Sequence, residues 1–163
     1  MRVAGIVKDS VVNGDGIRDV IFLQGCNRCC EDCHNPQTWD TNGGELMSIE
    51  AILAELSESC NQVTISGGEP LLQFLGVVRL VELLKERQGK TCWLYTGFKF
   101  EEVDLESWIA LCRAGVRVIV DGAFEKDKKD IKLQFRGSSN QRIIDLAKTL
   151  DNHTMCLWEG NNE

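Results

Sequence analysis

Four short apolar runs punctuate the chain, at residues 19–24, 62–66, 91–96 and 116–121. They are rich in β-branched and aromatic residues and almost continuous in hydrophobicity. That pattern suits strands covered on both faces, hence a parallel sheet. Each run stops at glycine: Gly25, Gly67-Gly68, Gly97 and Gly122. Amphipathic stretches lie between them. Ser48 predicts an N-cap for a helix over 49–59, with Ile52, Leu53 and Leu56 on its apolar side. Further helices are expected over 71–88, 100–113 and 139–150, the last with Ser138 or Ser139 as its cap and Gly137 shaping the turn. Residues 2–18 are expected to make a short hairpin, and residues 154–158 a last short strand. Strands alternating with helices imply βαβ units.

A complete (β/α)₈ barrel takes about 250 residues, more than the 163 present. The expectation is one domain over 1–163, either a partial barrel or an open doubly wound sheet. In both architectures ligands sit at the C-terminal ends of the parallel strands. Gly25-Cys26, Gly67-Gly68-Glu69-Pro70, Thr96-Gly97 and Asp121-Gly122 all fall there. Four strand ends therefore converge on one site.

The formal charge of −7 argues against a nucleic-acid partner, which needs a basic face. No run approaches the roughly 18 apolar residues of a membrane span, and the first residues lack the apolar stretch of a signal peptide. A cytoplasmic location follows as the expectation, where thiols stay reduced. Eight cysteines then need a reason. Cys60, Cys92, Cys112 and Cys156 are scattered and read as small buried hydrophobes. Cys26, Cys29, Cys30 and Cys33 crowd one loop. Two registers are open: Cys26-x₃-Cys30-x₂-Cys33 with Cys29 spare, or Cys26-x₂-Cys29 followed at once by Cys30-x₂-Cys33. Structural zinc draws four ligands from two separated knuckles, and here it would strain the adjacent pair Cys29-Cys30. Three thiolates on an iron–sulfur cube leave one iron open for a ligand.

The Cys-x₃-Cys-x₂-Cys loop after a first strand resembles that of the radical S-adenosylmethionine superfamily. Gly67-Gly68-Glu69-Pro70 resembles its motif for the amino group of S-adenosylmethionine. A narrower resemblance covers nearly the whole chain. Residues 13–18, Asn-Gly-Asp-Gly-Ile-Arg, resemble the Asn-Gly-Pro-Gly segment of anaerobic ribonucleoside-triphosphate reductase-activating proteins. Residues 33–39, 93–98, 120–124 and 135–142 resemble further segments of that family. Asp15 replaces the usual proline, Asp32 stands where the wider superfamily often has an aromatic residue, and Cys29 is extra.

The resemblance implies an α/β fold, a partial (β/α) barrel of the radical S-adenosylmethionine type with parallel strands. It implies an oxidoreductase that cleaves S-adenosylmethionine reductively at a [4Fe–4S] cluster and generates a glycyl radical on its partner, the large subunit of anaerobic ribonucleotide reductase. Reduced flavodoxin or a similar donor would supply the electron. Cys26, Cys30 and Cys33 would hold the cluster. Gly67, Gly68 and Glu69 would hold the ammonium of S-adenosylmethionine. Asp32 and His34, flanking the third ligand Cys33 at the cofactor site, would touch the adenosine part, and Thr96 and Asp121 would add polar contacts. Residues 136–142 carry either a helix cap or a contact to cofactor or partner. Three rivals remain at this point: an activase of another glycyl-radical enzyme, a small radical enzyme acting on a free substrate, and a zinc-bound or redox-sensing interaction protein using Cys29-Cys30.

Overall fold

The four apolar runs become adjacent strands. The computed structural model describes residues 1–160. The chain order is β1 (Arg2–Ser10), β2 (Arg18–Leu23), β3 (Glu45–Leu46), α1 (Ile49–Glu55), β4 (Gln62–Gly67), α2 (Phe74–Gln88), β5 (Thr91–Tyr95), α3 (Leu105–Ala114), β6 (Val116–Asp121), β7 (Arg142–Asp145) and α4 (Leu146–Asn152). One open sheet runs β3-β1-β2-β4-β5-β6-β7. Its centre, β2-β4-β5-β6, is parallel as expected.

The edges correct the all-parallel expectation. β1 pairs antiparallel with β2 and β3, and β7 pairs antiparallel with β6, so the sheet is mixed. The front hairpin is not confined to residues 2–18: its second arm is β2 itself, paired from Val3 opposite Leu23 to Ser10 opposite Arg18 with register shifts between Val3 and Gly5 and between Val7 and Ser10.

Helix starts follow their caps. Ser48 Oγ accepts from the Ala51 N–H at 3.1 Å, as its position predicts. α2 is preceded by a 3₁₀ turn at Pro70–Gln73, and α3 by one at Phe100–Glu102, with Asp104 as the α3 cap. The expected helix over 139–150 is half strand. Residues 142–145 form β7, and Asp145, not Ser138 or Ser139, caps α4 by accepting from Lys148 N–H at 3.0 Å. Apolar residues at 143, 144, 146, 147 and 150 satisfy a helical spacing, but neighbours 143 and 144 pack on opposite sides, which is strand alternation. The predicted strand at 154–158 reduces to a bridge between Leu157 and Ile144.

All four helices share one core. Ile21, Leu23, Ile65, Leu94, Ile119 and Ile144 face Ile52, Leu80, Leu84, Trp108, Leu111 and Leu146. Among the described residues the opposite face carries no α-helix. There Trp93, Val118 and Val120 pack with Tyr95, Phe135, Ile143 and Trp158. Buried Arg18 lies over the Trp93 ring at 4.8 Å and donates to Thr64 Oγ1 at 3.0 Å. Loop residue Asn13 reaches the same face, its carbonyl accepting from Thr64 Oγ1 at 2.7 Å. The apolar runs are thus covered on both sides, by helices on one and by loops and aromatics on the other. Of the scattered cysteines, Cys60 and Cys92 are buried, while Cys112 and Cys156 are partly exposed. Burial pushes the Cys92 thiol up to about 12. No helix among the described residues is long and apolar enough to cross a membrane.

Candidate functional site

The parallel strands end on one open cleft. Cys26, Cys30, Cys33, Glu69, Thr96 and Gly122 all line it. The cysteine loop leaves β2 and closes on itself at its root. Gly25 N–H donates to Thr38 O at 2.7 Å and Cys26 N–H to Trp39 O at 3.1 Å. A 3₁₀ turn at Pro36–Thr38 makes the return, so residues 33–39 shape the loop. Within it, Cys33 N–H donates to Cys30 O at 3.2 Å. Cys29 differs from its neighbours. It is exposed, has φ of 45°, and does not line the cleft.

Gly68 brings β4 against this loop. A Cβ there would lie 2.2 Å from Gly25 O, so only glycine permits the approach. Glu69 N–H then donates to Gly25 O at 2.7 Å. The Glu69 carboxylate is 1% exposed yet well supplied with donors. Oε1 accepts from Leu71 N–H at 3.0 Å and Thr96 Oγ1 at 2.9 Å, and Oε2 from Gly97 N–H at 2.8 Å. Burial pushes its carboxyl above the ordinary value, against those hydrogen bonds and the nearby Arg28.

Two predicted contacts sit elsewhere. Asp32 is exposed and pairs with Lys126 at 3.1 Å, and it does not line the cleft. The Asp121 carboxylate is engaged by Arg142 and by the Phe100 N–H at 2.7 Å, and Gly122 lines the cleft in its place. His34 does line the cleft, with its ring 5.0 Å from that of Phe124.

Other residues were not singled out by the sequence. Arg28 lines the cleft and donates to Gly97 O through Nε at 3.1 Å and Nη2 at 2.6 Å. The only sequence signal was a cation inside the cysteine run of an acidic chain. Gln141, within the 136–142 segment, also lines the cleft. Its Oε1 accepts from Gly137 and Ser138 N–H, and its Nε2 donates to Gly122 O at 3.0 Å. Residues 136–142 therefore do not cap a helix; they fasten a loop to the end of β6.

The donor set fits an iron–sulfur cube. Three thiols of one loop share a cleft, and a cube takes one thiolate on each of three irons. Among the described residues no three His, Cys, Asp or Glu side chains are grouped as ligands of a single ion. Burial pushes the Cys26 thiol above its ordinary value, so a metal taken up there would displace a proton.

Comparison with known proteins agrees. A family model described as a 4Fe-4S single cluster domain matches residues 12–144. The anaerobic ribonucleoside-triphosphate reductase-activating protein of Enterobacteria phage T4 is 38% identical over 139 residues, 81% of this chain and 86% of that protein. This chain belongs to the anaerobic ribonucleoside-triphosphate reductase-activating protein family. Activating proteins of the same name from Salmonella typhimurium and Escherichia coli K12 are 35% and 34% identical, each over 82% of this chain and 91% of the relative. The family model thus spans all four strand-end motifs, from Cys26 through Glu69 and Gly97 to Gly122.

Proposed function

We propose that this protein is a radical S-adenosylmethionine enzyme of the partial-barrel type that generates a glycyl radical on anaerobic ribonucleotide reductase. The observation that carries the reading is the shared cleft of Cys26, Cys30, Cys33 and buried Glu69. When bound, a [4Fe–4S] cluster held by Cys26, Cys30 and Cys33 would supply the single electron for reductive cleavage of S-adenosylmethionine, the radical chemistry needed to remove a hydrogen atom from a glycine Cα of the reductase.

The protein's own part is binding, orientation and water exclusion. Cys26, Cys30 and Cys33 would hold the cluster as thiolates, and with three protein ligands one iron would remain for the cofactor. Glu69 provides a carboxylate for the ammonium, with the backbone at Gly67 and Gly68 beside it. Thr96 holds Glu69 in place through its hydroxyl. His34, on the cleft wall, meets the adenosine part. Asp121 acts at one remove, fixing the end of β6 through Arg142, while Asp32 pairs with Lys126 on the surface. The cleft at the strand ends is open, which suits a protein substrate better than a free metabolite needing enclosure. A reduced flavodoxin-like protein serves as electron donor.

The test is anaerobic electron paramagnetic resonance on the reduced protein, S-adenosylmethionine and the reductase large subunit. A stable glycyl doublet is expected only with all three present, and replacing the reductase glycine removes it. A free metabolite that drives stoichiometric 5′-deoxyadenosine release, with no doublet on a competent reductase, would replace this reading.

A further inference from the structure

Arg28 sits between two of the three cleft cysteines but points its charge out of the loop. Two of its N–H groups close on one acceptor, Gly97 O, at 3.1 and 2.6 Å. Nη2 also meets Glu102 Oε2 at 2.9 Å, and the guanidinium lies 4.1 Å from the centre of the Phe98 ring. The other side of Gly97 belongs to Glu69, which accepts its N–H at 2.8 Å. A Cβ at Gly97 would lie 2.9 Å from Arg28 Cγ and 3.4 Å from Glu69 Oε2. One residue at the end of β5 is thus gripped on one side by the cysteine loop and on the other by the buried carboxylate.

We propose that Arg28 is a positioning residue that sets the register between the cluster loop and Glu69, and so between the open iron and the ammonium site. The inference rests on the function proposed above. The loop between Cys26 and Cys33 has no regular structure, and Cys29 within it adopts a left-handed backbone. Such a segment needs side-chain anchors to hold its thiols at a fixed distance from β4 and β5. A planar guanidinium supplies directional N–H groups and a flat face for Phe98. A lysine ammonium is a point charge on a flexible stem and offers neither. An ångström of misplacement between two ends of one ligand weakens its binding without abolishing the site.

The experiment compares wild type, Arg28→Ala, Arg28→Lys and Glu102→Gln, each reconstituted anaerobically to the same iron and sulfide content. The reduced cluster is titrated with S-adenosylmethionine while its paramagnetic resonance spectrum is followed. The half-saturation concentration is expected to rise about tenfold or more in Arg28→Ala. It should rise less in Arg28→Lys and stay within about twofold in Glu102→Gln, whose contact is at the exposed outer edge. Cleavage at saturating cofactor should fall by a smaller factor than the half-saturation point rises. Unchanged half-saturation in Arg28→Ala at equal iron content overturns the proposal, as does full rescue by lysine. Loss of iron from both Arg28 variants, with normal folding of the apoproteins, also overturns it, since the arginine would then serve cluster retention. A wild-type spectrum indifferent to S-adenosylmethionine sinks the parent reading. A responsive wild type with an equally responsive Arg28→Ala sinks this inference alone.

Discussion

The Thr96 hydroxyl donates to Glu69 Oε1 across 2.9 Å, joining the end of β5 to the end of β4 inside the protein. Both residues are buried, at 3% and 1% exposure, so the bond is made where water cannot replace it. Glu69 also caps the 3₁₀ turn at Pro70–Gln73. One carboxylate thus organises a turn and a strand end at the wall of the cleft.

Replacing that carboxylate should therefore have two effects. Glu69→Ala is expected to retain the cluster, to lose about 1 kcal/mol of stability with the cap, and to bind S-adenosylmethionine about 10- to 150-fold more weakly. Ligand titration of the reduced cluster reads the second effect and thermal unfolding the first. Unchanged ligand affinity would remove Glu69 from the binding surface.

The cysteine loop makes a sharper expectation. Ser in place of Cys26, Cys30 or Cys33 should abolish the cluster, while Cys29→Ser should keep it, because Cys29 alone of the four is off the cleft. Iron and sulfide analysis after anaerobic reconstitution decides. A cluster lost in Cys29→Ser and kept in Cys30→Ser would reassign the ligands.

Gly68→Ala tests the contact between β4 and the loop. Its Cβ would meet backbone, Gly25 O, at 2.2 Å, so the neighbour cannot swing aside. A cost of about 1–3 kcal/mol is expected, with poorer iron retention because the loop root must shift. Denaturant melts of the apoprotein and iron analysis check it. A variant as stable as wild type with full iron would show that the strand end moves freely.

Asp121 and Arg142 form a tie at the far strand end, extended by Glu101, which meets Arg142 Nη2 at 2.8 Å. Hydrogen bonding to Arg142 pulls the Glu101 carboxyl down from 4.5 to about 2. A depressed carboxylate stabilises the fold above its unfolded value and loses that contribution as pH falls through the folded one. Wild-type apoprotein should therefore be slightly more stable than Glu101→Gln near neutrality, with the gap closing between pH 4.5 and about 2. The pair is exposed, so the gap is small and shrinks in high salt. Urea melts across that range would show it, and a gap that widens on acidification would contradict the assignment.

Much of this protein was legible without its structure. The four parallel strands, the helices after Ser48 and toward Gln88, and the grouping of Cys26, Gly68, Glu69 and Thr96 at strand ends all follow from local pattern and from where parallel strands place their ends. Residues 142–145 were not legible, because Ile143 and Ile144 fit a helical spacing equally well. Only the pairing of Val120 with Ile143 across an antiparallel edge makes them a strand. The one-sided placement of the helices was hidden for a similar reason, since aromatics and a buried arginine cover the other face as completely as helices would. The partners of Arg28 and Asp121 were also invisible. Arg28 binds a backbone carbonyl, which every residue possesses, and Asp121 meets Arg142 from 21 positions away. Sequence determined which groups stand at the strand ends, because strand and turn chemistry is local. Tertiary structure decided which of them face the cleft and which are consumed in holding it open, because those contacts join segments distant in the chain.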